Sequence, residues 1–175
     1  NIELHVADMN TSASGSNLVD KDKFHTLPKA DDENFIPHIL EVCKKHRIDV
    51  VFPLVTMELF QLSQYKREFL DLGIRVIVSD YDSIEIVNNK CKLYSHMKQK
   101  GIAVPNFFTV TNKQDLENTA KKLNYPEQPI VMKPCISNGS RGVRVLDPRI
   151  DRFEMLFDHK PNALFSSLNE ILQII

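Results

Sequence analysis

The sequence contains neither G-x-x-x-x-G-K-S/T nor a G-x-G-x-x-G between a strand and a helix, which removes a P-loop nucleotide site and a standard dinucleotide site. No run approaches 18 apolar residues, and the first residues lack the basic and apolar blocks of a signal peptide. The sequence therefore reads as neither membrane-spanning nor secretory, and no membrane partner is expected. Excess charge is missing too. Lys and Arg number 22 against 23 Asp and Glu, for a net charge of −1 and a pI near 6.7. That balance gives no general electrostatic case for nucleic acid. Three cysteines, Cys43, Cys91 and Cys135, stand at wide, irregular spacing that suits neither a disulfide framework nor a zinc site, so a reducing cytoplasm is the expectation. Cys135 has no histidine close in sequence to activate it and reads as a small, half-buried filler. His5, His25, His38, His46, His96 and His159 are scattered without ligand spacing, and no metal is assigned to them.

What remains has the composition of a soluble globular chain: 175 residues, 42% hydrophobic and 26% charged, enough for one good core or two small ones. Ile2 to Asp8 alternates like a sheet strand. An open α/β domain usually begins with an earlier strand and a glycine turn, so chain ahead of Asn1 is expected. Asp8 stands where a dinucleotide fold holds a ribose, but without the fingerprint loop it reads as a cap for the next turn. Residues 9–20 are small and polar and form a loop. A short apolar piece, Phe24 to Leu27, stops at Pro28. Carboxylates at Asp31, Asp32 and Glu33, with Asn34, then open a helix whose apolar face is Phe35, Ile36, Ile39, Leu40, Val42 and Cys43. Lys44, Lys45, His46 and Arg47 suit its negative end.

Ile48 to Leu54 is an apolar run of the kind buried on both faces of a parallel sheet. Thr56 begins a helix that Gly73 stops, with Glu58 in its first turn, either just outside the carboxyl end of the strand or simply complementing the helix dipole. Ile74 to Val78 is the next strand, and Ser79 to Asp82 opens a helix to about Asn88. The alternation predicts a doubly wound, Rossmann-like parallel α/β domain over residues 1–88.

Beyond it, Lys90 opens a helix that ends at Lys100 and Gly101. Phe107 to Val110 reads as a strand, and Asn112 caps a helix lined by Leu116, Ala120 and Leu123. The most informative stretch is Ile130 to Leu146, an apolar strand ending in Lys133, a polar turn with two glycines, and an alternating strand containing Val143 and Val145. Gly139 and Gly142 permit positive φ and close backbone approach. Ser137, Ser140 and the intervening N–H groups can donate to phosphate oxygens, and Lys133 and Arg141 supply charge there. The same residues also fit an ordinary hairpin with a surface arginine. After Leu146 a helix is expected over Ile150 to His159, with Phe153, Leu156 and Phe157 inward, and another from Leu168.

This arrangement resembles the ATP-grasp superfamily, in which a lysine at a strand end (here Lys133, before Pro134) contacts the nucleotide phosphates and a glycine-rich hairpin closes over them. Asn88-Asn89-Lys90, and the later Ile102 to Phe107, look like that family's entry into its first nucleotide-binding subdomain, where a basic residue at the Lys90 position also reaches the phosphates. The resemblance covers most of residues 48–147 and is closest to the carbamoyl-phosphate-synthetase-like, carboxylate-amine ligase branch. It implies an N-terminal pre-ATP-grasp domain (1–88) and an incomplete α+β ATP-grasp subdomain (89–175). It implies ATP bound through Lys90, Lys133, Ser137, Asn138, Gly139, Ser140 and Gly142, with Arg141 as the catalytic cation. Mg2+ ligands are expected outside this chain, since the family's carboxylate pair and asparagine match nothing in it. The implied substrates are a small carboxylate and an amine joined through an acyl-phosphate, and the implied assembly leaves room for a homodimer. The alternative is a nucleotide- or metabolite-binding α/β module without turnover, or a scaffold domain.

Overall fold

The structure, a computed structural model, describes residues 2–157 and 164–175, without the side chains of Arg152, Glu154 and Leu156. The expected burial of Leu156 and the expected run of its helix to His159 fall outside the described residues. The chain divides into two compact units, Asn1–Glu85 and Ile86–Ile175.

In the first unit strand β1 (Val6–Asp8) pairs in parallel with β2 (Phe24–Thr26), Ala7 lying opposite His25. Helix α1 (Phe35–His46) leads to β3 (Val50–Val51), which pairs in parallel with β4 (Arg75–Val76). Between these strands run α2 (Glu58–Gln64) and α3 (Lys66–Asp71), and α4 (Tyr81–Val87) follows β4. The α/β class with parallel strands is thus as expected. Helix α1 starts at Phe35, and ahead of it the Asp32 carboxylate accepts hydrogen bonds from both nitrogens of Asn34 and folds that segment into a turn. Its apolar stripe, Phe35, Ile36, Ile39, Leu40 and Cys43, forms the core with Leu62, Phe69, Ile74 and Val76. Burial of each large side chain contributes roughly 1.5–3 kcal/mol, so this stripe explains why α1 docks as it does. Burial also pushes the Cys43 thiol up to about 11, leaving it a packing group.

Two expectations fail here for local reasons. The single helix from Thr56 to Gly73 breaks at Tyr65 (φ −95°, ψ 6°). Across the break, Ser63 Oγ donates to the Ser79 carbonyl at 2.8 Å and Lys66 Nζ to that of Val78 at 2.8 Å, fastening α2 and α3 to the segment after β4. Gly73, at φ 80°, ends α3 as expected. The run from Ile48 to Leu54 is not buried on both faces: only Val50 and Val51 enter a ladder, and Phe52 and Leu54 are 66% and 92% exposed. Pro53 has no N–H with which to extend that ladder.

His25 on β2 packs against His5 and His46, with ring centroids 5.2 and 4.6 Å away. Burial first, then the neighbouring imidazoles and Lys45, hold its pKa below the usual 6.5. In the window between the depressed folded value and the unfolded one, the unfolded state binds more protons, so stability rises with pH. The first unit is expected to lose stability as pH falls through about 6.5. The loss ends once pH is below the folded value. Thermal melts in EDTA across that range, with His25→Gln flattening the dependence, check this.

In the second unit Asn89 caps α5 (Lys90–Gln99), its Oδ1 accepting from the N–H groups of Cys91 and Lys92 at 3.1 Å. Asn112 caps α6 (Lys113–Lys122) in the same manner. Strand β5 (Ile130–Met132) pairs antiparallel with β6 (Arg144–Leu146), which pairs in parallel with β7 (Phe165–Ser166). Helices α7 (Arg152–Phe157) and α8 (Leu168–Ile174) complete the described elements, and Ser167 with Glu170 forms a capping box on α8. Leu116, Ala120, Ile130, Leu146 and Ile171 are the core. Phe107 to Val110, expected as a strand, joins no ladder among the described residues. Phe153 and Phe157, expected inward, are 72% and 65% exposed and pack on each other at 4.6 Å.

Candidate functional site

Strand β5 ends one residue before Lys133, and α5 begins at Lys90, so two lysines distant in sequence flank one short segment. The Lys90 N–H donates to the Cys135 carbonyl at 2.8 Å. Its Nζ donates to the Ser137 carbonyl at 2.8 Å and lies 3.3 Å from Ser137 Oγ. Lys90 therefore grips residues 135–137 from both ends. Between those contacts, Cys91 is joined to Cys135 by a disulfide, with Cα atoms 5.2 Å apart. This corrects the expectations that the cysteines form no bridge and that Cys135 is a filler. It also removes the support that unpaired thiols lent to a reducing compartment. Among the described residues no helix is long and apolar enough to cross a membrane.

Lys133 Nζ donates to the Tyr94 hydroxyl at 2.7 Å and stands 4.8 Å from the centre of that ring, which itself packs on Phe107. Tyr94 thus holds the Lys133 ammonium, a contact that reading the sequence did not predict. Its place on α5 one turn after Lys90 was the available signal.

The loop from Ser137 to Gly142 is a tight turn. Gly139 and Ser140 take positive φ (57° and 58°), and the Arg141 N–H returns to the Asn138 carbonyl at 3.2 Å. Positive φ at both central positions is the type I′ pattern that matches the twist of a hairpin. Arg141 Nη1 donates to the Asn138 side-chain oxygen, and the Val143 N–H to the Ser140 carbonyl at 3.2 Å. Gly142 has φ 75°, and a Cβ there would sit 2.6 Å from Cγ of Pro134. The backbone of 142 therefore lies directly against the residue after Lys133.

The residues expected to bind the phosphates make these contacts. Lys90 touches Ser137, Gly142 touches Pro134, and Arg141 touches Asn138, while Lys133 is held by Tyr94 rather than by the loop. Among the described residues, the N–H groups of Gly139, Ser140 and Gly142 have no protein acceptor. The side-chain nitrogen of Asn88, two residues before Lys90, is buried without one. Each ammonium has three donors, so Lys90 and Lys133 keep capacity beyond the bonds described, and Arg141 keeps more. Cations and outward N–H groups around a tight loop suit an oxyanion such as phosphate. No cradle residue is a carboxylate, so the residues present do not make a Mg2+ site.

In the first unit, Asp8 accepts from the Asn10 N–H at 2.8 Å and acts as the turn cap expected of it. Glu58 is half-buried, and burial, with a contribution from the Asp8 charge, raises its pKa.

Comparison with known proteins shows what this fold is similar to. The chain aligns with PurK, N5-carboxyaminoimidazole ribonucleotide synthetase, in its ADP complex, at a TM-score of 0.61 and 18% identity, over 86% of this chain and 36% of that one. It aligns with the biotin carboxylase domain of Hydrogenobacter thermophilus 2-oxoglutarate carboxylase, a complex with MgADP, ADP and bicarbonate, at a TM-score of 0.57 and 20% identity, over 81% and 32%. Identities this low establish the fold. More particularly, residues 1–77 match the family model of the PylC-like, N-terminal domain. The carbamoyl phosphate synthase large chain of Thermotoga neapolitana is 26% identical over 81 residues, 46% of this chain and 7% of that protein. The ATP-grasp, carbamoyl-phosphate-synthetase-like resemblance read from the sequence is borne out. The chain spans about a third of those solved structures and a small fraction of that relative.

Proposed function

We propose that this chain is the N-terminal part of an ATP-grasp ligase that activates a small carboxylate as an acyl-phosphate for attack by an amine. In this reading, residues 1–88 are the pre-ATP-grasp domain, their two parallel strand pairs belonging to one doubly wound layer, and residues 89–175 begin the nucleotide lobe. The observation that carries the reading is the double grip of Lys90 on residues 135–137, which presents the type I′ loop beside Lys133. ATP supplies the phosphoryl group. The chain's own share is placement and charge: Lys90 and Lys133 neutralise phosphate oxygens, and loop N–H groups orient them. Arg141 supports charge as it develops. Closure of the 137–142 loop excludes water, which would otherwise consume the acyl-phosphate. The sequence of bonds is then ordinary phosphoryl transfer, the carboxylate oxygen bonding to the γ-phosphorus as the bond to ADP breaks, followed by amine attack that expels phosphate.

The test is product analysis on the intact ligase, with ATP, Mg2+ and a panel of small carboxylates including bicarbonate, each with and without an amine. ADP and phosphate release that requires the carboxylate is expected. AMP and pyrophosphate would overturn the acyl-phosphate reading, and ATP binding without carboxylate-dependent turnover would replace it with the binding-module alternative.

A further inference from the structure

Three histidines that are far apart in sequence meet in the first unit. His5 precedes β1, His25 lies on β2, and His46 is the last residue of α1. The parallel register puts His25 opposite Ala7, so residue 5, two positions earlier, faces the same side of the pair, the side over which the end of α1 lies. His5 Nδ1 and His25 Nε2 are 2.9 Å apart, and His46 closes the triangle with ring centroids 4.9 and 4.6 Å from the other two. One nitrogen from each of the three lies within 4.8 Å of the others. Bonds of about 2.0–2.1 Å from a tetrahedral ion place its nitrogen ligands roughly 3.3 Å apart, so small rotations of these rings would bring all three into a coordination shell.

We propose that His5, His25 and His46 form a binding site for one divalent transition-metal ion of the zinc class, with an open fourth position, which ties α1 to the β1–β2 pair. The donor set decides the class: neutral imidazoles without a carboxylate select borderline ions over Mg2+ or Ca2+. The surroundings agree. His5 is shielded, its side chain 11% exposed, and its other nitrogen, Nε2, lies 3.7 Å from the Glu3 carboxylate. Glu3 also pairs with Lys23 at 3.2 Å. In the metal-free state His5 and His25 share a proton along their 2.9 Å contact. Binding needs both lone pairs, so that proton moves to a far ring nitrogen, and for His5 that nitrogen faces Glu3, the carboxylate–histidine–metal arrangement that fixes a ligand's tautomer. His5 stands before β1 and His46 at the carboxyl end of α1, away from the carboxyl ends of the strands where ligands of open α/β sheets bind. The ion's role is therefore structural or regulatory rather than catalytic.

The test uses the full tag-free chain after dialysis against EDTA. Titration with Zn2+ by calorimetry is expected to give one ion per chain, with a rise in melting temperature that EDTA reverses. His25→Gln and His46→Gln should each weaken binding at least tenfold, whereas His96→Gln, on α5, should leave it unchanged. Circular dichroism of the metal-free variants shows that they fold, and His46→Gln, at a helix end, serves if His25→Gln does not. Co2+ in place of Zn2+ should show visible ligand-field bands without a thiolate charge-transfer band, which excludes Cys43. No binding by the folded chain, or undiminished binding by a folded His25→Gln or His46→Gln variant, would overturn the site.

Discussion

Lys133→Ala is expected to lower ATP-dependent turnover of the intact ligase on the order of 100- to 1,000-fold, the range for removing a preorganised donor from developing charge. Lys133 is exposed, and its partner is the Tyr94 hydroxyl, so removing it leaves no buried group without a bond. Stability should change by no more than about 0.5 kcal/mol. Steady-state ADP release and a thermal melt of the same preparation separate the two effects. Full ADP production by a normally folded Lys133→Ala protein would sink the assignment of this lysine.

The second large effect belongs to Gly142→Ala. At φ 75° an alanine pays the left-handed conformation, about 1–2 kcal/mol, and its Cβ meets Cγ of Pro134 at 2.6 Å and Cδ at 3.0 Å. Pro134 has little room to retreat. Its neighbour Cys135 is bridged to Cys91, and the Cys135 carbonyl holds the Lys90 N–H. The loop must shift instead, and ATP affinity is expected to fall tenfold or more, as about 1.4 kcal/mol corresponds to one decade. Gly139→Ala supplies the control, since at φ 57° it incurs a similar dihedral cost but its Cβ meets nothing within 4 Å. If the two variants weaken ATP equally, steric contact with Pro134 has no part in placing the loop.

Much of this was legible because it rests on local chemistry. Asn89 and Asn112 announce helix starts through side-chain caps, Gly73 a helix end, and Gly139 and Gly142 the positive φ of a hairpin turn. Features that depend on distant neighbours were not legible. The cysteine pair is separated by 44 residues, and only the packing of α5 against the segment after β5 brings it together. The same holds for His5, His25 and His46, whose spacing in sequence says nothing of a parallel register. Phe107 to Val110 has strand composition, but composition does not supply a ladder partner, whereas Phe165 and Ser166 acquire one from β6. Ser140, with φ 58°, shows that a non-glycine residue can occupy the left-handed position the turn demands.

The most direct measurement is equilibrium binding of ATP, ADP and AMP to this chain in parallel, at low and at moderate salt. A cradle built from Lys90, Lys133, Arg141 and loop N–H groups should prefer ATP and ADP over AMP at least tenfold, and the preference should shrink with salt as those exposed charges are screened. Equal affinity for all three nucleotides, or a preference for ATP that Lys133→Ala leaves intact, would contradict a phosphate site at this loop.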